Sequence, residues 1–405
     1  MKHLVVLNLL VFPLFACSPQ PLVKASDLET QTKLARAEGL CVTPDDLRAK
    51  FKPLAKDQNA APILKELSAE RLLTQGHSVE QMRMFNSTAE EDIKKSEAVL
   101  NNCAPQLAQI VKAAELPGCF FNRRWEDGYS LLYDEYSQAK AGSQLLAARA
   151  FQNARTGNHK ASITDLNRMV CLANHISEPF VIAELAQVAI YTMTWKSAAR
   201  LAYRYPQEVL YTAFLKETLD GWPDQNFKSS VGNELTFLLS LYEDCKTRQL
   251  AKEKQGMSDE SLKGLKDAVP EPQFSQAKAK LIHLYRDVVK AYDLPQEQAY
   301  DKLAVIEDQI YDVLKACPIA QEIFQSIRPI FPTNSDAQYI VERQKMLLTV
   351  AYRVLSEGSP DSIVTDDLTS SITGEKIRYT KSRNGFLVEV ISSDQKRILM
   401  SAQIQ

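Results

Sequence analysis

The chain contains 405 residues, of which 45% are hydrophobic and 24% are charged, and its formal net charge at pH 7 is −2. These proportions exclude a largely disordered chain and a chain embedded in a membrane along most of its length. Because basic residues are not in excess, we expect no nucleic acid partner. Glycine occurs only 13 times, which together with many alanines and leucines favours helices over sheets.

The N-terminus has the pattern of an export signal. An apolar run covers residues 4–16, which is too short to span a bilayer but fits the core of a signal peptide. The residues LFAC that end the run resemble the lipobox of bacterial lipoproteins, although Phe15 is bulkier than usual at its position. The resemblance implies a signal peptide at 1–16, acylation of Cys17 and attachment to a membrane through that lipid. A signal cut after Ala25 is the alternative.

The residues after Cys17 predict a short tether, 17–25, in which Pro19 and Pro21 favour an extended chain. Ser18 stands where, in the enterobacterial pattern, an aspartate retains lipoproteins in the inner membrane. We therefore expect a protein of the bacterial cell envelope, anchored to the outer membrane and facing the periplasm.

A helical domain is predicted for residues 26–250, and its first helices have clear start signals. In VTPDDLRAKF, Thr43 is suited to the N-cap and Pro44 to the first helical position. In NSTAEEDIKKSEAVL, two glutamates precede lysines by four residues, a spacing that supports a helix. Acidic residues at helix starts complement the helix dipole, so we assign them no acid–base role.

Cysteine usage fits an oxidising compartment. Six cysteines remain after Cys17, namely Cys41, Cys103, Cys119, Cys171, Cys245 and Cys317. Six cysteines allow 15 pairings, and the sequence alone cannot choose among them. Cys103 and Cys119 are the nearest neighbours, on either side of one short predicted helix, so they are the first candidates for a disulfide. The alternative is that most of these cysteines are small buried hydrophobic residues.

The middle of the chain is the most regular part. Apolar residues from Leu132 to Ala150 mark one helical face, and RTGNHK then interrupts the pattern, with Gly157 suited to ending a helix. A second helix follows, and a third is predicted for residues 181–203. This layout is that of tetratricopeptide-like (TPR-like) α-hairpins, but the 34-residue signature is not cleanly repeated. We expect irregular α-hairpin layers or a bundle.

The last third of the chain changes character twice. Residues 251–273 mix charges with Gly, Ser and Pro, which predicts a linker or long loop. Helices are expected to resume at Phe274 and to continue to 357, the last one starting after an Asn334-Ser335-Asp336 cap. The tail, 358–405, contains KIRYT, FLVEVIS and RILMSAQI, which predict three short strands, with Asn384-Gly385 suited to a tight hairpin turn. The predicted fold class is mostly α with a small C-terminal antiparallel sheet.

Several segments resemble a family of uncharacterised exported helical proteins that is frequent in planctomycete-type bacteria. They include AEGLCVTPDDL, DQNAAPILKEL, LPGCFFNRRWEDGYSLL and TGEKIRYTKSRNGFLVEVIS, and they lie in the expected order between residues 36 and 392. The chain departs from the family where Ser-Ser-Ile-Thr-Gly replaces the usual Asp-Pro-Phe-x-Gly entry to the sheet. The resemblance implies a helical body with a β-tail and no known activity.

The sequence contains no motif for catalysis or for a cofactor. HExxH, paired CxxC, a calcium loop, G-x-S-x-G and a dinucleotide fingerprint are all missing. We therefore predict no catalytic residue, no metal ligand and no cofactor, and consider an enzyme less probable than a binding protein. The remaining enzymatic hypothesis is a hydrolase whose site is assembled from separated residues such as His159, His175 and Asp165.

Aromatic residues at helical spacing suggest a groove for a protein or peptide partner. The residues proposed for this groove are Trp125, Tyr129, Tyr133, Tyr136 and Trp195. Aromatics with this spacing are more often core residues, which is the alternative interpretation. The expected function is a lipid-anchored envelope scaffold that binds a protein or peptide. A hydrolase, or a carrier of an apolar small molecule within the helical layers, is the alternative.

Overall fold

The computed structural model describes residues 27–69, 87, 89–131, 133–222, 226–247, 271–315, 331–357, 376–382, 385–391 and 398–404. The predicted signal peptide, Cys17, the tether and most of the predicted linker lie outside the described residues. Cys317 and the side chain of Cys245 also lie outside them.

Thirteen α-helices form most of the described residues, which confirms the predicted class. They are α1 Leu28–Ala37, α2 Pro44–Lys50, α3 Ala61–Ala69, α4 Glu90–Asn102, α5 Ala104–Glu115, α6 Asp134–Arg155, α7 His159–His175, α8 Val181–Arg204, α9 Val209–Asp220, α10 Phe227–Thr247, α11 Glu271–Ala291, α12 Gln296–Leu314 and α13 Phe331–Glu357. Two 3₁₀ turns, Lys56–Gln58 and Trp125–Ser130, lie between them. In the described part of the chain, no helix is long and apolar enough to cross a membrane.

Local sequence signals set several of these boundaries. At the start of α2, Thr43 Oγ1 accepts a hydrogen bond from the Asp46 amide, and Asp46 Oδ2 accepts one from the Thr43 amide, 3.0 Å away. This reciprocal capping box with Pro44 at the first position is the predicted start. Gly157 follows α6 with φ +77°, a left-handed conformation that ends the helix at the predicted place.

Two predicted helix starts are wrong by a few residues. Helix α11 begins at Glu271, three residues before the expected Phe274. Helix α13 begins at Phe331, so the predicted cap at Asn334 lies inside its first turn. Pro332 is compatible with this earlier start because the first turn of a helix needs no amide donor from it.

Helices α6, α7 and α8 pack on one another as consecutive antiparallel hairpins and form the centre of the molecule. Helices α3 and α5 cover one side of this layer, while α9 and α13 cover α8. Helices α10, α11 and α12 continue the packing, and α1 lies against α11. One continuous core of buried apolar side chains runs through these contacts. The body is therefore a layered helical assembly; its TPR-like character stays a prediction.

The tail forms a three-stranded antiparallel sheet in the order β1 (Lys376–Ser382), β2 (Gly385–Ile391) and β3 (Ile398–Ile404). This confirms the predicted small sheet, which packs on α13. The buried face of β2 consists of Phe386, Val388 and Val390. Ser382 pairs with Gly385, so Gly385 belongs to the strand and is not a central turn residue. The turn between the strands lies outside the described residues.

Candidate functional site

The predicted aromatic groove is wrong for the residues whose side chains are described. Trp125, Tyr136 and Trp195 are only 3%, 4% and 0% exposed, and Tyr133 is partly buried against the core. The side chain of Tyr129 lies outside the described residues. The helical spacing is real, but it directs these rings inward, where burial of their large apolar surface contributes most to stability.

Trp125 instead organises a small second core. Its ring stacks on Phe51 with centroids 5.2 Å apart and contacts Phe180 and Phe237. These rings come from four separate segments, so the cluster joins α2, the 3₁₀ turn, the start of α8 and α10. The cluster holds the residues after α2 against the rest of the body.

An open cleft of about 980 Å³ lies beside this cluster. One wall is the chain from Lys50 to Leu54, and the other wall is α7, with the exposed side chains of Thr164 and Asn167 and the largely buried side chain of His175. Between the walls runs the segment Leu116–Phe120, which connects α5 to the residues before the 3₁₀ turn. The volume is at the upper end of the range usual for ligand sites, about 300–1,000 Å³.

Asn59 and Ala60 hold the end of this segment, residues 118–120, in an extended conformation. The Ala60 amide donates to the Gly118 carbonyl at 2.9 Å, and the Phe120 amide donates to Asn59 Oδ1 at 2.8 Å. Asn59 Nδ2 in turn donates to the Phe120 carbonyl at 3.0 Å. Successive residues of an extended chain direct their backbone groups to opposite edges. The amide and carbonyl of Cys119 therefore lie on the edge away from Asn59.

Gly118 lies close to the wall of the cleft that contains Leu54. A Cβ at this position would lie 2.8 Å from Leu54 Cδ1, which is closer than side-chain atoms normally come. The absence of a side chain lets the extended segment and the Leu54 wall lie in contact. The Pro117-Gly118 pair directly after a predicted helix is the sequence signal for this segment.

A buried ion pair secures the rim of the cleft. Ser177 and Pro179 line it, and the residue between them, Glu178, accepts hydrogen bonds from Arg123 Nε at 2.8 and 2.9 Å. Tyr136 donates to the same carboxylate. Burial opposes the charge of Arg123, but the bonded Glu178 outweighs it and raises the pKa of Arg123. The pair stays ionised and fixes the rim.

Burial keeps a histidine and two thiols of the cleft in their uncharged forms. His175 Nε2 lies 2.9 Å from the Ala113 carbonyl, and burial lowers the pKa of this histidine, so it stays neutral. Burial and the neighbouring Glu178 raise the pKa of the Cys119 thiol, and burial raises that of Cys171. Protonated thiols are poor nucleophiles. The cleft is suited to binding by shape and hydrogen bonds.

The three residues of the hydrolase hypothesis are not brought together. Asp165 accepts hydrogen bonds from Arg149 and Arg168, and His159 Nδ1 lies 2.9 Å from the Tyr211 hydroxyl. His175 lines the cleft, whereas Asp165 and His159 do not. The hypothesis required two of them within hydrogen-bond reach in one pocket, so it is wrong for these residues.

The predicted Cys103–Cys119 disulfide is also wrong. Both residues are free thiols, as are Cys41 and Cys171. Cys103 caps the start of α5 and Cys119 follows its end, and a helix of 12 residues separates its ends by about 18 Å. A disulfide needs Cα atoms about 4.4–6.8 Å apart. The helix between the two cysteines therefore keeps them from bonding.

Comparisons with known proteins add no assignment. The chain matches no protein-family model, no curated protein and no solved structure. Within the described residues, no group of three or more His, Cys, Asp or Glu side chains is placed to hold a metal ion. The functional argument therefore depends on the geometry of the cleft.

Proposed function

We propose that the protein is a lipid-anchored component of the bacterial cell envelope that binds an extended segment of a partner protein in the cleft beside α7. The observation that carries the proposal is the extended edge at Cys119, which runs along a cleft of about 980 Å³. A peptide that lies beside this edge gains main-chain hydrogen bonds, and its side chains gain contacts with the walls.

The polar character of the walls supports a peptide rather than a compact apolar ligand. Asn167 and Thr164 are exposed on the α7 wall and offer amide and hydroxyl groups. Lys52 lies on the other wall. Such groups satisfy the backbone and side chains of a bound segment, while Leu54 and Leu116 offer apolar contact.

A peptide selection tests the proposal. Peptides displayed on phage are selected on the immobilised chain from residue 26 onward, and their dissociation constants are measured by fluorescence anisotropy. Cys119→Pro removes the edge amide and is expected to weaken binding at least tenfold, because proline has no N–H to donate. Cys119→Ala keeps the amide and is expected to bind as the original chain does.

A second pair of variants tests the cleft without changing its backbone. Asn167→Trp fills the cleft from the α7 wall and is expected to abolish binding. Val209→Trp, at a position on α9 that is already 72% exposed, is the matched control and is expected to leave binding unchanged. Peptides that bind all four variants equally would show that the cleft is not the site.

The lipid anchor is part of the proposal and rests on the sequence LFAC. Intact-mass analysis of the protein from its native membrane is expected to show a mature chain that starts at Cys17 and carries acyl groups. Cys17→Ala is expected to move the protein from the membrane fraction to the soluble fraction. A mature chain that begins after Ala25 would contradict the anchor.

Membership in the exported helical proteins of planctomycete-type bacteria is likewise a proposal. The order of the quoted segments supports it, from AEGLCVTPDDL near residue 36 to the strand segments of the tail. One of these segments, LPGC, lines the cleft and contains the extended edge, and a second, NAAP, contains Asn59, which holds that edge. Other members of that group are therefore expected to carry an asparagine and a glycine at these two places.

A further inference from the structure

A second groove, which shares no lining residue with the cleft, lies between α6, α8 and α13. It has a volume of about 450 Å³ and is lined mainly by one stripe of α8. The stripe consists of Leu185, Val188, Thr192, Lys196 and Arg200, at the spacing of three and four residues that places side chains on one helix face, and Met193 lies beside it. Leu185 and Arg200 are about 22 Å apart along the helix axis.

The stripe changes chemistry along its length. Its N-terminal part is apolar, and Leu185 is 41% exposed although it is a large hydrophobic residue. Its C-terminal part carries Lys196 and Arg200, and Lys140 joins them from α6. Within the described residues, the lining of the groove includes these three basic side chains and no acidic one. The groove therefore combines an apolar trough with a cationic end.

The two cations of α8 are held in an unfavourable environment. Both are half-buried, and the described residues provide no ion pair to either. Burial, with the neighbouring Arg200, lowers the pKa of Lys196, and burial, with the neighbouring Arg204, lowers the pKa of Arg200. Cations that lack an acidic partner and lie partly out of water are stabilised when an anion binds beside them.

A buried hydroxyl also lacks a partner at this groove. Thr194, on the buried side of α8, donates to the Ile190 carbonyl at 2.8 Å, as threonines in helices commonly do. Thr192 lines the groove, and in the described part of the chain its buried hydroxyl has no hydrogen-bond partner. Buried polar groups are nearly always satisfied, so this hydroxyl is a further polar group without a partner beside the two cations.

From these observations we infer that the groove binds a single-chain anionic amphiphile, with its acyl chain along Leu185, Val188 and Met193 and its head group beside Lys196 and Arg200. The head group is a carboxylate or a phosphate, because both accept hydrogen bonds from ammonium and guanidinium groups. The volume is near the lower end of the range of ligand sites, which favours one acyl chain over two. This site is separate from the peptide cleft.

Displacement of a fluorescent fatty acid tests the inference. The chain from residue 26 onward is saturated with cis-parinaric acid, and palmitate, lysophosphatidate, hexadecanol and inorganic phosphate are added as competitors. Palmitate or lysophosphatidate is expected to displace the probe at least tenfold more effectively than hexadecanol, which has the same tail without the charge. The more effective of the two identifies the head group. Displacement by inorganic phosphate alone, or equal displacement by hexadecanol, would overturn the inference.

Variants locate the site. Lys196→Gln combined with Arg200→Gln is expected to weaken palmitate binding at least tenfold, and Ala189→Trp is expected to block the acyl end. Lys216→Gln, an exposed position on α9, is the control and is expected to bind normally. The double variant is expected to melt no lower than the original chain, since the residues it removes make no ion pair in the described structure. Unchanged binding in both groove variants would refute the assignment, as would an original chain that binds no cis-parinaric acid.

Discussion

Arg123 and Glu178 form a two-point ion pair in the protein interior, with Arg123 Nε 2.8 and 2.9 Å from the two carboxylate oxygens. Their side chains are 4% and 7% exposed. The guanidinium also lies 4.7 Å from the centroids of the Phe121 and Tyr133 rings. The pair joins the segment before the 3₁₀ turn to the segment after α7, two parts of the chain that both border the peptide cleft.

Breaking this pair is expected to be costly. Arg123→Met leaves the Glu178 carboxylate buried without its cation, and loss of one partner of a buried pair typically costs about 3–5 kcal/mol. Urea unfolding measures the change in the free energy of unfolding. The control is Arg124→Met, because that neighbouring side chain is 82% exposed and should change stability by less than about 0.5 kcal/mol. Equal effects of the two variants would contradict a structural role for the pair.

The carboxyl groups of Glu184 and Glu234 are expected to make stability fall as pH rises. Burial raises the pKa of each to about 7 from an ordinary value of 4.5, and for Glu234 the neighbouring Glu184 adds to the shift. The folded state therefore holds protons that the unfolded state releases. The resulting stabilisation is complete below pH 4.5 and is lost as pH rises through about 7.

Glu234→Gln checks this pH dependence. The variant is expected to be more stable than the original chain at pH 8, on the order of 1–3 kcal/mol, and not at pH 4.5. Urea unfolding at both pH values gives the difference between the two proteins. Burial lowers the pKa of His175, so this residue makes stability fall as pH falls below 6.5. Because His175 is present in both proteins, its effect cancels in the difference between them. Glu217→Gln, at an exposed position, is the control and should show no such difference.

Gly142 is expected to be intolerant of any side chain. A Cβ at this position would lie 2.4 Å from Cδ1 of Ile110, which is fully buried between α5 and α6. Gly142→Ala is therefore expected to destabilise the protein by about 1–3 kcal/mol, although alanine is the better helix former. Thermal unfolding gives the change. In a chain that already carries Ile110→Ala, Gly142→Ala should destabilise the protein far less than it does alone. If the changes in the free energy of unfolding of the two substitutions simply add, the proposed clash is contradicted.

The four described cysteines are expected to stay unpaired in the purified protein. Peptide mapping without reduction should recover Cys103 and Cys119 in separate peptides. N-ethylmaleimide should label Cys103, which is half-buried, faster than Cys41, which is 1% exposed. A Cys103–Cys119 linked peptide would show that α5 is not a continuous helix.

Features that depend on neighbours in the sequence were predictable. The Thr43 capping box, the turn at Gly157 and the three strands of the tail were all located correctly, because each arises from a few adjacent residues. The start of α13 is predicted wrongly, because the sequence offers a favourable N-cap at Asn334 whereas the helix begins earlier, at Phe331. Where two local signals compete, the packing of the whole helix decides.

The candidate binding surfaces are harder to predict from the sequence than the helices and strands. The sequence predicts Trp125 and Trp195 in a groove, yet both are buried, because helical spacing identifies a helix face without showing whether other helices cover it. The α8 stripe from Leu185 to Arg200 has a readable spacing, but only α6 and α13 make it a groove.

The sequence by itself determined the helical body, its capped ends, the β-tail and the lipobox-like start, since these depend on short-range propensity and spacing. The tertiary structure alone decided that Cys103 and Cys119 stay apart, that Cys119 lines a cleft, and that Lys196 and Arg200 line a groove. Such features require segments distant in the chain to pack together. That packing is set by the total burial of many side chains and not by any one motif.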